Sequence, residues 1–140
     1  MPAIVTTQWK GNMKFESTNP SGLNLTIDAS PSDGGLGEGY RPKALMLSSL
    51  AGCSGLDVAS LIKKMKLKVD DFKIDISAEL TQEHPKFYNK VNVEFHFYGK
   101  KLNEGKLKKA VDLSVEKYCG VMEMFRHFAD VQTSIHYHST

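Results

Sequence analysis

An α+β fold, with helices gathered on one side of a largely antiparallel sheet, is what this sequence predicts, and three observations carry it. The first is a stretch from Ala44 to Ile62 in which Asp57 is the only charged residue, the mark of a buried helix. The second is a pair of segments with strict two-residue alternation: Phe72, Ile74, Ile76, Ala78 and Leu80, then Val91, Val93, Phe95 and Phe97. The third is a helix signal after Asn103 followed by a closing alternation, so that strands and helices come in runs rather than by turns.

Taken in order, Ile4 to Lys10, Met13 to Ser17 and Leu23 to Ile27 read as three short strands, broken by Gly11-Asn12 and Asn19-Pro20-Ser21-Gly22. Asp28 to Arg41 contains Gly34, Gly35, Gly37 and Gly39 and no regular element, which leaves a surface loop or a mobile flap. It has neither the Gly-Lys-Ser/Thr ending of a phosphate loop nor the dinucleotide fingerprint, so nucleotide binding is not expected. Pro42 suits the first turn of a helix that continues to about Lys66, a span of ~37 Å. Apolar residues on every side predict that protein surrounds this helix, and because 140 residues are too few to cover it, a partner subunit is expected to help. Ser48, Ser49, Gly52, Ser54, Gly55, Asp57 and Ser60 make the segment too polar for a membrane span, and Lys63, Lys64 and Lys66 close one end only.

The two alternating segments, separated by the turn Glu83-His84-Pro85-Lys86, form a long hairpin. Asn103 is an N-cap, with Leu102 and Leu107 placed to staple a helix reaching about Tyr118. A short helix over Cys119 to Ala129 follows, and Val131, Thr133, Ile135 and Tyr137 alternate with polar residues as a last strand.

With 41% hydrophobic and 24% charged residues, the chain from 1 to 140 has the balance of one soluble globular domain. Eighteen basic and sixteen acidic residues give a net charge of +2 with the lysines spread out, which argues against nucleic acid or an anionic membrane as partner. Met1 to Lys10 lacks the basic start and apolar run of an export signal, so a cytoplasmic location is expected. Two cysteines in that reducing compartment are either inert buried thiols or a redox pair.

Cys53 sits within Leu50-Ala-Gly-Cys-Ser-Gly-Leu56, where the glycines serve either close packing around a small core residue or access to a thiol. Cys119 opens a helix, where free N–H groups and the helix dipole favour a thiolate; a buried turn residue is the equally ordinary alternative. Their separation along the chain says nothing about distance in space. His136 and His138 share a strand face that His96 can meet from another strand, but no HxxxH, HExxH or CxxC spacing is present, and exposed histidines on a polar face are expected rather than a metal site. No Cys-His-Asp arrangement for acyl transfer is legible in the spacing.

Pro42-Lys-Ala-Leu-Met-Leu-Ser-Ser-Leu-Ala-Gly-Cys-Ser-Gly-Leu-Asp-Val58, the hairpin behind it, and Ala110-Val-Asp-Leu-Ser-Val-Glu-Lys-Tyr-Cys-Gly-Val121 resemble the two signature regions of OsmC/Ohr proteins, the osmotically inducible and organic hydroperoxide resistance superfamily. The second block points to the OsmC-like branch, and the resemblance extends over nearly the whole chain. It implies an OsmC-like fold, an intertwined homodimer whose sheets wrap two long central helices, with paired sites at the subunit interface. It also implies that Cys53 is the peroxidatic cysteine and Cys119 the resolving one. In that chemistry the Cys53 thiolate attacks the O–O bond of an organic hydroperoxide and becomes a sulfenic acid. Cys119 condenses with it to a disulfide, and a cellular dithiol reduces the product. No cofactor and no metal are expected.

The sequence departs from the Ohr pattern where that group carries a glutamate just after the helix-starting proline: here Lys43 and then Ala44 follow Pro42. The first forty residues also contain no arginine. Arg41 and Glu38 are candidates to replace those groups if the loop folds over the site, while Asp57, one turn beyond Cys53, disfavours a thiolate unless a cation offsets it. The departure sustains a second reading, a non-catalytic dimeric stress-response protein that binds a hydrophobic or thiol-reactive small molecule in the same interfacial pocket.

Overall fold

The computed structural model describes residues 1–140, which fall into two compact units, Met1–Met46 and Leu47–Thr140. In the first unit, β1 (Thr7–Trp9), β2 (Phe15–Thr18) and β3 (Asn24–Ile27) pair antiparallel in that order. The strands are shorter than the alternation predicts because the first turn claims their ends: the Lys10 N–H donates to the Lys14 carbonyl at 2.8 Å, and Gly11 and Asn12 both take positive φ.

The glycine-rich segment that follows is ordered around one carboxylate. Asp28 is almost wholly buried, and its oxygens accept from the N–H groups of Leu36 and Glu38 at 3.1 Å each and of Ala29 at 2.8 Å. The Glu38 amide foremost, opposed by burial and helped by those of Leu36 and Ala29, holds this carboxyl below its usual range. The glycines make that wrapping sterically possible. A Cβ on Gly35 would lie 2.0 Å from the Ala29 carbonyl oxygen, and one on Gly39 would lie 2.7 Å from that of Thr26. The loop closes with a bridge between Ile27 and Tyr40.

Helix α1 (Pro42–Lys64) runs from the first unit into the second. It stops two residues short of the expected Lys66 because Lys66 turns left-handed, and the Leu67 N–H then reaches back to the Ile62 carbonyl at 3.0 Å and the Lys66 N–H to that of Lys63 at 3.2 Å. In the second unit β4 (Asp71–Leu80) and β5 (Tyr88–Tyr98) form the expected hairpin, with Phe72 opposite Phe97 and Ile74 opposite Phe95. The inward residues Val91, Val93, Phe95 and Phe97 are buried, and the Phe72 and Phe97 rings stack at 4.8 Å. The last strand, β6 (Asp130–His138), lies parallel to β5, the one parallel pairing in otherwise antiparallel sheets.

A parallel neighbour needs a crossover, and α2 (Glu104–Leu113) and α3 (Gly120–Arg126) supply it. Asn103 caps α2 as the sequence indicates, its side chain accepting from the Lys106 N–H. Leu107 and Val111 of α2 and Met122 and Phe125 of α3 join Leu50 and Val58 of α1 over the sheet, and together they make the core. Within the single chain α1 is not surrounded, in keeping with the expectation that 140 residues are too few to cover it. Only Leu50, Ser54 and Val58 are fully buried, while Met46 and Leu56 stand open. By length and composition alone this helix is apolar enough to cross a bilayer.

Replacing Asp28 with Asn is expected to loosen the loop, with faster hydrogen exchange at the Leu36 and Glu38 amides as the readout. A carboxyl held below its unfolded value stabilises the fold above pH about 4 and loses that contribution as pH falls through its lowered value. The acid limb of a thermal-midpoint titration should therefore be steeper for the wild type than for Asp28→Asn.

Candidate functional site

Leu50, Ser54 and Val58, four residues apart, form the stripe of α1 that faces the core, so a hydroxyl is carried into packed hydrocarbon. A buried hydroxyl needs a partner, and the Ser54 Oγ donates to the Sγ of Cys119 at 3.2 Å. Cys119 itself is 4% exposed and holds the N-cap position of α3, its sulfur accepting from the Met122 N–H at 3.3 Å. The chain reaches that position through a π turn, Ser114–Tyr118, closed by the Cys119 N–H on the Ser114 carbonyl at 2.8 Å. The sequence predicts an uninterrupted helix to Tyr118; the wide turn is what replaces its last segment.

Cys53 and Cys119 are both free thiols, Cys53 half-buried and Cys119 buried, and Cys53 directly precedes the serine whose hydroxyl touches the Cys119 sulfur. Burial, the largest influence, pushes the Cys119 thiol up; the Ser54 hydroxyl and the Met122 N–H pull it down, and the neighbouring Cys53 pushes it up again. Of the two settings the sequence leaves open for Cys119, the buried turn is the one found. The two hydrogen bonds and the helix end do not outweigh desolvation.

Asp57, next along α1, is bound across the same gap: the Ser114 Oγ lies 3.0 Å from its Oδ2 and 3.3 Å from the Ser54 carbonyl oxygen. The structure thus brings Cys53, Cys119 and Asp57 into one neighbourhood, with Ser54 and Ser114 as the buried hydroxyls that knit it. Glu38 and Arg41 belong to the first unit, where the Glu38 carboxylate is held by the Lys14 ammonium at 2.6 Å and Arg41 is exposed just before α1. On another side of α1 an apolar hollow of about 590 Å³ is lined by Ala51, Gly52, Gly55 and Leu56 against Phe72 and Ile74 of β4. Cys53 does not line it, although its neighbour Gly52 does. The reading of the sequence passed over Ser54 and Ser114. The signal for Ser54 lay in the four-residue spacing that sets it between Leu50 and Val58; Ser114 carried none before α2 had a register.

Ser54→Ala removes one donor to Cys119 and is expected to cost about 1 kcal/mol in denaturant unfolding. It should also slow alkylation of Cys119 at a given pH, because one of the groups favouring the thiolate is gone. A thiol raised in the folded state leaves stability intact below the unfolded thiol value, about 8.5, and erodes it as pH climbs toward the folded one. Unfolding free energy should accordingly decline in alkaline solution for the wild type and decline less for Cys119→Ala.

Comparison with known proteins bears on the fold and the family. The family model described as OsmC-like protein matches residues 35–134. The chain is similar to Protein YhfA of Escherichia coli K12, 28% identical over 127 residues that make up 91% of this chain and 92% of that one. Among solved structures it is similar to a hypothetical protein from Aquifex aeolicus VF5, with a TM-score of 0.87, 28% identity and coverage of 100% and 98% of the two chains. An organic hydroperoxide resistance protein OsmC from Legionella pneumophila shares the fold with a TM-score of 0.72 at 19% identity, each chain covered to 97%. With the match spanning both cysteine segments, the hairpin and the crossover helices, the chain belongs to the OsmC-like family.

Proposed function

We propose that the protein is a dithiol-dependent organic hydroperoxide reductase in which Cys53 attacks the peroxide and Cys119 resolves the product. The observation that carries this reading is the pair of free thiols in one neighbourhood, one half-buried and one sealed. The Cys53 sulfur displaces an alkoxide from the O–O bond, the alkoxide takes a proton to leave as the alcohol, and the sulfur keeps the other oxygen as a sulfenic acid. The Cys119 sulfur then attacks that sulfenic sulfur, water departs, and the disulfide is returned to two thiols by a cellular dithiol. A thiol that burial makes harder to ionise suits the second role, since it competes less for the peroxide. Two unpaired thiols also fit a reducing, cytosolic setting.

The same reading takes the chain as one domain in a homodimer. The family match crosses both units. Along α1 Leu56 is 75% exposed and a Cβ on Gly52 would meet open space, while Ile4, Trp9 and Leu23 of the first unit also stand open. Apolar surface of this kind is what a second subunit buries. The non-catalytic binder keeps one observation in its favour: Glu38, a candidate to replace the Ohr glutamate, is held by Lys14.

Consumption of cumene hydroperoxide with a dithiol reductant separates the two. Turnover is expected for the wild type and loss to the uncatalysed rate for Cys53→Ser. Cys119→Ser should instead stall after one turnover, with a sulfenic acid that dimedone traps. Equal, background-level consumption by wild type and Cys53→Ser would reject the enzyme and leave the binder. Leu56→Lys is expected to shift the mass in size-exclusion light scattering from dimer toward monomer; an unchanged dimer would remove α1 from the interface.

A further inference from the structure

The outer face of the second sheet, opposite the core, gathers groups that the thiol chemistry does not use. Strand register sets His96 opposite His136, Glu94 opposite Ser134 and Asp75 opposite Glu94. Contrary to the exposed setting expected from the sequence, the His96 side chain is only 13% exposed. It is stacked on His136 at 4.7 Å and on His138 at 5.2 Å. Its Nε2 is shut off from solvent and makes no hydrogen bond, yet Glu94 Oε2 lies 3.4 Å away and Asp75 Oδ2 3.5 Å away. Carboxylates directly opposite one another repel, and a buried ring nitrogen without a partner is costly. A cation between them relieves both.

We propose that Glu94, His96 and His136 form a binding site for a late first-row divalent cation of the zinc type, with Asp75 beside it as a further oxygen donor. The ligand atoms of the three residues lie within 4.8 Å of one another. Donors around a tetrahedral zinc stand about 3.3 Å apart, so His96 Nε2 and Glu94 Oε2 at 3.4 Å already have ligand spacing. His136 Nε2, 3.9 Å from Glu94 Oε2, belongs to a half-exposed side chain that can swing inward once it gives up its hydrogen bond with Ser134 Oγ. The outer contacts suit this use. His96 Nδ1 lies 2.9 Å from His138 Nε2, so a proton on Nδ1 donated to His138 leaves Nε2 with its lone pair free for the metal. His138 is held in turn by stacking on Tyr98 at 4.5 Å. Imidazole with carboxylate selects zinc, cobalt, nickel or copper over magnesium or calcium. Lys73 opposes the site from β4, but its ammonium is drawn to Asp75 at 3.3 Å, which leaves Glu94 to the imidazoles.

The test is titration of the full chain, stripped with chelator, with Zn²⁺ by calorimetry and with Co²⁺ by absorption. Saturable uptake of one ion per chain is expected, with visible cobalt bands and no thiolate-to-cobalt charge transfer. His96→Gln and His136→Gln should each weaken Zn²⁺ binding by at least about tenfold. Their melting temperatures in chelator should stay near that of the wild type, and the half-exposed His136 position serves if the buried His96 variant does not fold. Absence of saturable uptake, unchanged affinity in the folded histidine variants, or a thiolate signature that Cys53→Ser abolishes would each overturn the site.

Discussion

A hydroxyl in a dry core has to find an acceptor, and the placement of the sulfurs follows from how Ser54 meets that requirement. Leu50 and Val58 press α1 onto the sheet, so Ser54 between them is buried with no water to turn to. The sulfur of Cys119 is the acceptor it meets. Leu50 and Val58 set the rotation of α1 about its axis, and at that rotation the hydroxyl between them meets its partner. With the rotation fixed, Cys53 falls at the edge of the buried stripe, half-covered, and Asp57 falls where Ser114 can reach it. One apolar stripe therefore sets the address of several polar groups.

The same packing divides labour between the sulfurs. Cys119 is enclosed by the hydrocarbon of three helices and the sheet, and enclosure opposes its ionisation more than a hydroxyl, an amide and a helix end favour it. Cys53 is only half-buried. The enclosure depends on the direction of β6. An antiparallel last strand needs only a tight turn, whereas the parallel one requires the chain to travel back across the sheet, and α2 and α3 roof the core on that journey.

Much of this was legible before any coordinates. Alternation over Phe72–Leu80 and Val91–Phe97 fixed both strands and their inward faces, because period-two patterning has one solution when one face is buried. The Asn103 cap and the Pro42 start were legible for the same local reason. What escaped were the properties that depend on partners distant in sequence. The direction of β6 leaves no trace in its alternation, the nearness of Cys53 to Cys119 is a product of the crossover, and the order within the glycine-rich loop comes from a single buried Asp28. The incomplete cover of α1 was legible, because its apolar residues lie on every side while a single sheet covers one stripe.

The π turn also decides which side chain the solvent sees. Leu107, Ala110, Val111 and Ser114 set the inward phase of α2, and an unbroken α-helix continuing from Ala110 through Ser114 by fours would carry that phase to Tyr118. Widening the spiral at Ser114–Tyr118 lets the backbone slip by one position, so the phenol of Tyr118 swings outward to 52% exposure while the thiol beside it turns in to 4%. Losing one residue between Ser114 and Cys119 would turn the five-residue closure into an ordinary helical turn and keep the sulfur inward, whereas gaining one there would carry it out of phase.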